Sequence, residues 1–153
     1  MTPGSRDPVE KRVAAAAALG RSGDPAAIRS LQPSLSDPHP RVRREGAQAL
    51  GRLGDPEAVP ALAAALSDPD PEVRAAVIAA LGRIRDPQAS GALIACLGDR
   101  DDRVRIGAAV VLGKLGDPRA AGPLEALLRD PFSGVREAAE AALGQIRNRR
   151  PRR

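Results

Sequence analysis

Apolar residues recur along this chain with the period of an α-helix. Val73, Val77, Ala80, Leu81 and Ile84 follow the spacing i, i+4, i+7, i+8, i+11, which places one apolar stripe on a helix. A β-strand would show alternation with a period of two, and the sequence has none. The pattern therefore predicts an all-helical protein.

The same positions return every 31 residues without insertion or deletion. The pair Leu-Gly occurs at Leu19-Gly20, Leu50-Gly51, Leu81-Gly82, Leu112-Gly113 and Leu143-Gly144. Asp-Pro occurs at Asp24-Pro25, Asp55-Pro56, Asp86-Pro87 and Asp117-Pro118. Val-Arg occurs at Val42-Arg43, Val73-Arg74, Val104-Arg105 and Val135-Arg136. A fixed period of this length is typical of repeat proteins, in which neighbouring units stack to bury a shared core.

One repeat unit is predicted to hold two helices. Asp55 and Pro56 suit the start of a short helix A, because Asp caps free backbone amides and Pro tolerates the first helical position. A polar turn leads to helix B, which carries the apolar stripe, and Gly54 and Gly116 suit left-handed helix ends. The chain then reads as one lone B helix, at about residues 8–22, followed by four A–B pairs. We predict an α-solenoid of about four and a half 31-residue helix pairs.

Polar residues replace apolar ones at both ends of this array. Lys11 and Ser22 lie where a preceding helix would pack, and Glu140 lies where a following repeat would stack. We therefore expect both ends to be capped and the array to be whole. The predicted organisation is a flexible N-terminus at residues 1–7, a solenoid at residues 8–147 and a basic disordered tail at residues 148–153.

Composition narrows the class further. Aromatic residues make up 1% of the chain, so the core must be built from Ala, Leu, Val and Ile. The single cysteine excludes an internal disulfide bond, and the N-terminus does not resemble a signal peptide. No apolar run is long enough to span a bilayer. We expect a cytoplasmic protein that does not bind membranes and that is monomeric.

The formal net charge of +5 at first suggests a nucleic-acid binder. However, five arginines lie among the last seven residues, which contain no acid: Arg147, Arg149, Arg150, Arg152 and Arg153. Without these five arginines, bases and acids number 19 each. The basicity therefore belongs to the tail, and the folded body is neutral.

The string Asp-x-x-x-x-Val-Arg-x-x-Ala-x-x-Ala-Leu-Gly-x-Leu-Gly-Asp recurs with small variations from Asp37 to Asp117 and resembles HEAT repeats of the phycobilisome-lyase-like type. The resemblance covers about residues 6–147. Proteins of this kind include chromophore lyases, deoxyhypusine hydroxylases, DNA alkylation-repair glycosylases and non-enzymatic adaptors. The resemblance thus specifies the fold closely and the function only loosely.

The resemblance also implies a polar ladder between repeats. In such proteins the turn Asp and the Arg six residues later form this ladder, and the matching residues here are Asp37, Arg43, Asp68, Arg74, Asp99, Arg105, Asp130 and Arg136. Arg12 keeps the base of the first helix, but Arg6 replaces the acid, so we expect an incomplete ladder there. A residue copied into every repeat favours a structural role over catalysis.

Catalytic chemistry finds little support in the sequence. The only histidine, His39, lies in a variable turn position, and Cys96 lies on helix A with no second cysteine or histidine to activate it. The paired His-Glu ligands of a di-iron site are missing, as are Trp and Tyr residues that could stack on a base. We predict no enzymatic activity, no cofactor and no metal site.

The outer face of helix B is the predicted partner surface, because its residues vary between repeats and the resemblance places this helix on the concave side. The candidate contact residues are Arg41, Arg44, Gln48, Arg52, Glu72, Arg83, Arg103, Ile106, Val110 and Lys114. Ile106 and Val110 beside Gly107 are expected to form an apolar spot flanked by Arg103 and Lys114. A partner protein or peptide is the first hypothesis.

A second hypothesis is non-specific electrostatic binding of nucleic acid. One helix B position carries a base in four successive repeats, at Arg21, Arg52, Arg83 and Lys114, before Gln145. Together with the arginine-rich tail, this basic column suits a phosphate backbone, although bases in a last helical turn also complement the helix dipole. A less favoured alternative is a lyase-like accessory of a chromophore protein.

Overall fold

The computed structural model describes residues 7–149 and contains helices, turns and no strands within that range. Helices α1, α3, α5, α7 and α9 are the predicted B helices and span Pro8–Arg21, Pro40–Leu53, Pro71–Ile84, Asp102–Leu115 and Ser133–Asn148. Helices α2, α4, α6 and α8 are the A helices and span Ala27–Leu31, Val59–Ala65, Ser90–Cys96 and Ala121–Leu127. The predicted solenoid, a lone B helix followed by four A–B pairs, is confirmed.

Short 3-10 helices extend the A helices. One, Gln32–Ser36, follows α2, and three others precede α4, α6 and α8 at Pro56–Ala58, Pro87–Ala89 and Pro118–Ala120. Each of these three begins at an Asp-Pro pair, as for Asp55, whose carboxylate accepts a hydrogen bond from the amide of Glu57 at 2.8 Å. The Asp-Pro dipeptide therefore starts each of these A segments by satisfying a free amide.

Left-handed backbone ends three of the B helices. Gly54 and Gly116 have φ of 69° and 71°, as the helix-stop pattern predicts. The same position after α5 is Arg85, with a φ of 59°. Because a side chain at positive φ crowds the following carbonyl, Arg85 is a strained helix end.

The core is aliphatic, as composition requires. Its largest fully buried side chains are Ile28, Leu31, Leu50, Leu62, Ile78, Leu81, Leu93, Leu112, Leu124, Val42, Val73 and Val77. The one aromatic residue, Phe132, is 53% exposed and lies in the turn before α9. Within the described residues, no helix is long and apolar enough to cross a membrane.

Glycines of the Leu-Gly pairs let neighbouring B helices touch. A Cβ placed on Gly51 would lie 2.8 Å from the Cα of Ala80 on the next B helix, so only glycine permits this approach. Gly20 and Gly113 meet Ala49 and Ala142 in the same way. The sequence singled out these glycines by their period, and the structure shows their physical role.

The two ends of the described range add detail to the predicted boundaries. Asp7, assigned to the flexible N-terminus, caps α1 by accepting from the amide of Val9 at 3.0 Å. Asn148, assigned to the tail, is the last residue of α9, and Arg149 donates to the carbonyl of Leu115 at 3.2 Å. The remaining residues of both segments, 1–6 and 150–153, lie outside the described range.

Candidate protein-binding surface

Arginines of the ladder connect successive repeats through the turns between A and B helices. Arg74 donates from Nε and Nη2 to the carboxylate of Asp99 at 2.8 and 2.9 Å. Its Nη1 donates to the carbonyls of Asp68 and Pro69 at 2.8 and 3.2 Å. Arg43 and Arg105 repeat this arrangement. Each arginine thus binds the backbone of its own turn and the acid of the next one.

The ladder differs at its two ends. Arg12 makes the bidentate pair with Asp37 at 2.8 and 3.1 Å, although the sequence led us to expect an incomplete ladder at this helix. Each of the paired ladder arginines binds the acid 25 residues later, so the replacement at position 6 leaves the Arg12–Asp37 pair intact. Arg136, among the described residues, donates only to the carbonyls of Asp130 and Pro131.

Four of the candidate contact arginines are engaged in ion pairs within the chain. Arg44 binds Glu72 of the next B helix at 2.9 Å, and Arg52 binds Glu45 at 2.9 Å. Arg41 binds Glu10, and Arg103 binds Asp101. These side chains therefore present a largely neutralised surface rather than a row of free bases.

An apolar groove opens between α5 and α7. This α5–α7 groove has a volume of about 400 Å³ and is lined by Ala75, Ile78, Ala79, Gly82, Arg83, Gly107, Val110, Val111 and Lys114. Val110 is 40% exposed within it, which is unusual for a large apolar side chain in this protein. The groove thus combines an apolar floor with two bases.

Val111 explains why the groove forms at this junction. It occupies the position of Ala49, Ala80 and Ala142, where the other B helices meet a glycine. A Cβ on Gly82 would meet the Val111 side chain at 2.8 Å, and no backbone atom of α7 is among its nearest neighbours. The valine therefore acts as a spacer. The backbones of α5 and α7 approach each other over a smaller area than those of the other neighbouring B helices.

Two bases lie at the C-terminal end of the groove. Arg83 and Lys114 sit in the last turns of α5 and α7, and neither makes an ion pair among residues 7–149. Arg83 also lines a neighbouring depression with Gln48 and Arg52. Among residues 7–149, no acidic side chain lines the α5–α7 groove. The groove is consequently positively charged at one end and uncharged along its apolar floor.

The predicted apolar spot is only partly assembled. Val110, Gly107 and Lys114 lie together in the α5–α7 groove, but Ile106 does not line it, and its Cδ1 would be 3.2 Å from a Cβ on Gly134 of α9. The sequence predicted Arg83 of α5 as a contact residue but expected the apolar spot on α7 alone, whereas α5 also contributes Ala75, Ile78, Ala79 and Gly82 to the lining. The valine that departs from the alanine column at position 111 is the signal that could have found the groove.

Reactive groups of the described residues are engaged in structural contacts. Cys96 is 7% exposed, and burial, aided by the charge of Asp99, raises the pKa of its thiol to about 11. His39 accepts a hydrogen bond from the amide of Arg41 through Nδ1 and so caps α3. No cluster of three residues suited to hold a metal ion occurs in the described part of the chain.

The paired helices, the glycine contacts and the arginine ladder define a helical-repeat protein. The family model described as HEAT repeats matches residues 4–69 and 60–144. The chain therefore belongs to the HEAT repeat family, and the resemblance inferred from the sequence is confirmed. No curated protein matches the chain.

Solved structures share the fold. A chain of the CpcE–CpcF complex of phycocyanin lyase from Nostoc sp. PCC7120 is 30% identical, with a TM-score of 0.77 over 94% of this chain and 62% of that chain. This chain thus spans less than two thirds of the length of that lyase chain. An engineered protein is 25% identical, with a TM-score of 0.64 over 93% of this chain and 75% of that chain.

A designed armadillo repeat protein in complex with a (KR)4 peptide is also similar in fold. It is 20% identical, with a TM-score of 0.69 over 94% of this chain and 77% of that chain. HEAT and armadillo folds typically serve as scaffolds for protein interaction. The comparisons agree with the sequence on the fold.

Proposed function

We propose that this chain is a non-enzymatic interaction scaffold that holds a partner protein or peptide across the exposed face of its B helices. The observation that carries the proposal is the α5–α7 groove, where the regular packing of B helices opens into an apolar cavity of about 400 Å³. Such cavities with a few polar groups at their edge are the usual form of a binding site.

The packing of the two helix layers supports the choice of face. B helices contact their B neighbours along their length, whereas A helices contact one another only sparsely. In a curved stack, the layer with the closer spacing lies on the inside of the curve. The exposed B face is then the concave surface on which a solenoid surrounds a partner.

Ion pairing favours a protein partner over nucleic acid. A phosphate backbone needs several unpaired bases in a row, because each contact contributes through the release of counterions. In the basic column, Arg52 is paired with Glu45, which interrupts the row between Arg21 and Arg83. The two bases that follow Arg52 in the column, Arg83 and Lys114, flank an apolar floor that a phosphate backbone would not fill.

The experiment compares partner capture by matched variants of the full chain at physiological salt, with nuclease present. Val110→Glu places a charge in the groove, and Ala64→Glu places the same charge on an exposed position of α4 in the A layer. We expect a partner protein that the parent and Ala64→Glu retain and that Val110→Glu loses, with the interaction then reproduced by calorimetry between purified components.

Two outcomes would overturn the proposal. Equal capture by the parent and Val110→Glu would move the partner surface away from the groove. Recovery of nucleic acid alone, lost after nuclease treatment, would favour the electrostatic alternative. Capture of a chromophore protein that depends on Val110 would support the scaffold and point to the lyase-like accessory role.

A further inference from the structure

We infer that the α5–α7 groove selects peptides in which an apolar side chain lies close to a carboxylate. This inference rests on the proposed function and specifies the chemistry of its partner. It follows from two independent properties of the groove, an apolar floor and an unpaired basic end, which together match one kind of segment.

The floor of the groove accepts an apolar side chain. Ala75, Ile78, Ala79, Gly107 and Val110 line it, and none of them offers a side-chain hydrogen bond. Its volume of about 400 Å³ falls in the range of about 300–1,000 Å³ that ligand pockets usually have. A Leu, Ile, Met or Phe side chain would displace water from this floor and gain contact with both helices.

The end of the groove complements a carboxylate. Arg83 and Lys114 reach it from two different helices and, within the described residues, lack ion-pair partners, whereas Arg52 in the same helical position is paired with Glu45. Lys114 is exposed, and so is Arg83. A carboxylate between these two cations would gain charge-assisted hydrogen bonds close to an apolar surface, where they are stronger than in bulk water.

Complementarity to the helix dipole does not by itself explain these bases. The C-terminal ends of α5 and α7 are closed by the backbone amides of Arg85 and Gly116, which donate to the carbonyls of Leu81 and Leu112 at 2.9 Å. Arg21 has the same helical position on α1 but is not among the residues that line the α5–α7 groove. Arg21 is therefore a matched control, because it shares the dipole effect and not the groove.

The test begins with random twelve-residue peptides displayed on phage and selected on the full chain, with counter-selection on Val110→Glu. We expect the recovered peptides to carry Leu, Ile, Met or Phe within four positions of Asp or Glu. Labelled synthetic copies are then titrated by fluorescence anisotropy against the parent, the double variant Arg83→Gln/Lys114→Gln and the control Arg21→Gln. Circular dichroism melts verify that all variants are folded.

The double variant should weaken binding by roughly tenfold to a hundredfold, the loss expected when hydrogen bonds to a charged group are removed. The control should bind as the parent does. Replacing the peptide carboxylate by its amide should weaken binding to the parent by a similar factor and leave binding to the double variant unchanged. This reciprocal loss identifies the contact between the carboxylate and the two bases.

Failure of the inference can be separated from failure of the proposed function. The inference would be overturned by recovered peptides that lack acids or that bind the double variant as tightly as the parent. If binding of those peptides still depends on Val110, the groove remains the binding surface. A library that yields no peptide able to distinguish the parent from Val110→Glu would count against both. Displacement of the peptides by a single-stranded oligonucleotide, lost in the double variant, would assign the two bases to phosphate.

Discussion

Removal of the central ladder arginine should destabilise the protein more than removal of the last one. Arg74 has a side chain only 8% exposed and makes four hydrogen bonds, two of them to the carboxylate of Asp99. Arg74→Met keeps most of the apolar stem but removes the cation that pairs with that carboxylate and the side-chain donor to the Asp68 carbonyl. Breaking one partner of a buried ion pair costs about 3–5 kcal/mol.

Arg136 provides the matched comparison at the last repeat. Within the described residues it donates only to the carbonyls of Asp130 and Pro131, at 2.7 and 3.0 Å, and it binds no carboxylate. Arg136→Met should therefore cost about 1 kcal/mol, the net value of a typical hydrogen bond. The difference of roughly 2–4 kcal/mol between the two variants isolates the ion pair from the turn contacts.

Urea denaturation followed by circular dichroism measures both variants. A chain of this size has a total stability of about 5–15 kcal/mol, so Arg74→Met should shift the midpoint clearly. Equal losses for Arg74→Met and Arg136→Met would show that the pair with Asp99 contributes nothing and would refute the reasoning. A change in slope would indicate that the repeats no longer unfold together.

The same ion pair predicts a dependence on pH. Burial alone would raise the pKa of Asp99, but the hydrogen bonds from Arg74 and from the amide of Asp101 outweigh it and hold the pKa below its usual value. An acid with a lowered pKa stabilises the folded state above its unfolded pKa of about 4, and this stabilisation is lost as the pH falls through the lowered pKa. Stability of the parent should thus fall below pH ~4, and Arg74→Met should show a flatter decline.

Four further substitutions test local geometry, each by thermal and urea denaturation. Gly51→Ala should destabilise the protein by about 1–3 kcal/mol because the added Cβ meets the next B helix. Gly144→Ala should stabilise it by about 0.5–1 kcal/mol because nothing lies within 4 Å of the added Cβ. A change in stability of the same sign for both variants would contradict this packing. Arg85→Gly should stabilise by about 1 kcal/mol by relieving its positive φ, and a loss would show a contact that outweighs strain. Phe132→Asp should supply the missing cap of α9 and stabilise by about 0.5–1 kcal/mol after loss of the Phe132 contact with Arg105.

Much of the fold could be predicted because each local signal has one physical meaning. Asp-Pro starts a helix, a glycine after Leu-Gly-x-Leu ends one, and the spacing of Val73, Val77, Leu81 and Ile84 leaves a single buried stripe. The 31-residue period then multiplies each signal across the chain, so that an error in one copy is corrected by the others. The helix count and order follow from this redundancy.

The binding surface could be predicted less well because it depends on pairs of residues from different repeats. Periodicity identified Val110 and Lys114 as exposed, but it could not show that Arg44 reaches Glu72 on the next helix. It also assigned Ile106 to the same spot as Val110, since the two positions lie only about 40° apart on the helix. In the structure the Ile106 side chain reaches Gly134 of α9, whereas Val110 lines the groove beside α5. Contacts between repeats can be predicted only when the spacing between helices is known, and the sequence of one repeat does not specify that spacing.

A solenoid allows such a surface to arise at one junction without disturbing the others. Each repeat contacts only its neighbours, so the spacer at Val111 opens the space between α5 and α7 while the glycine contacts at Gly51 and Gly113 remain close. Elsewhere on the B face, ion pairs such as Arg44–Glu72 neutralise exposed charges. The regular repeat thus supplies the scaffold and the basic column, and one departure from regularity, Val111, opens the groove beside two bases of that column and so supplies the specificity that we propose.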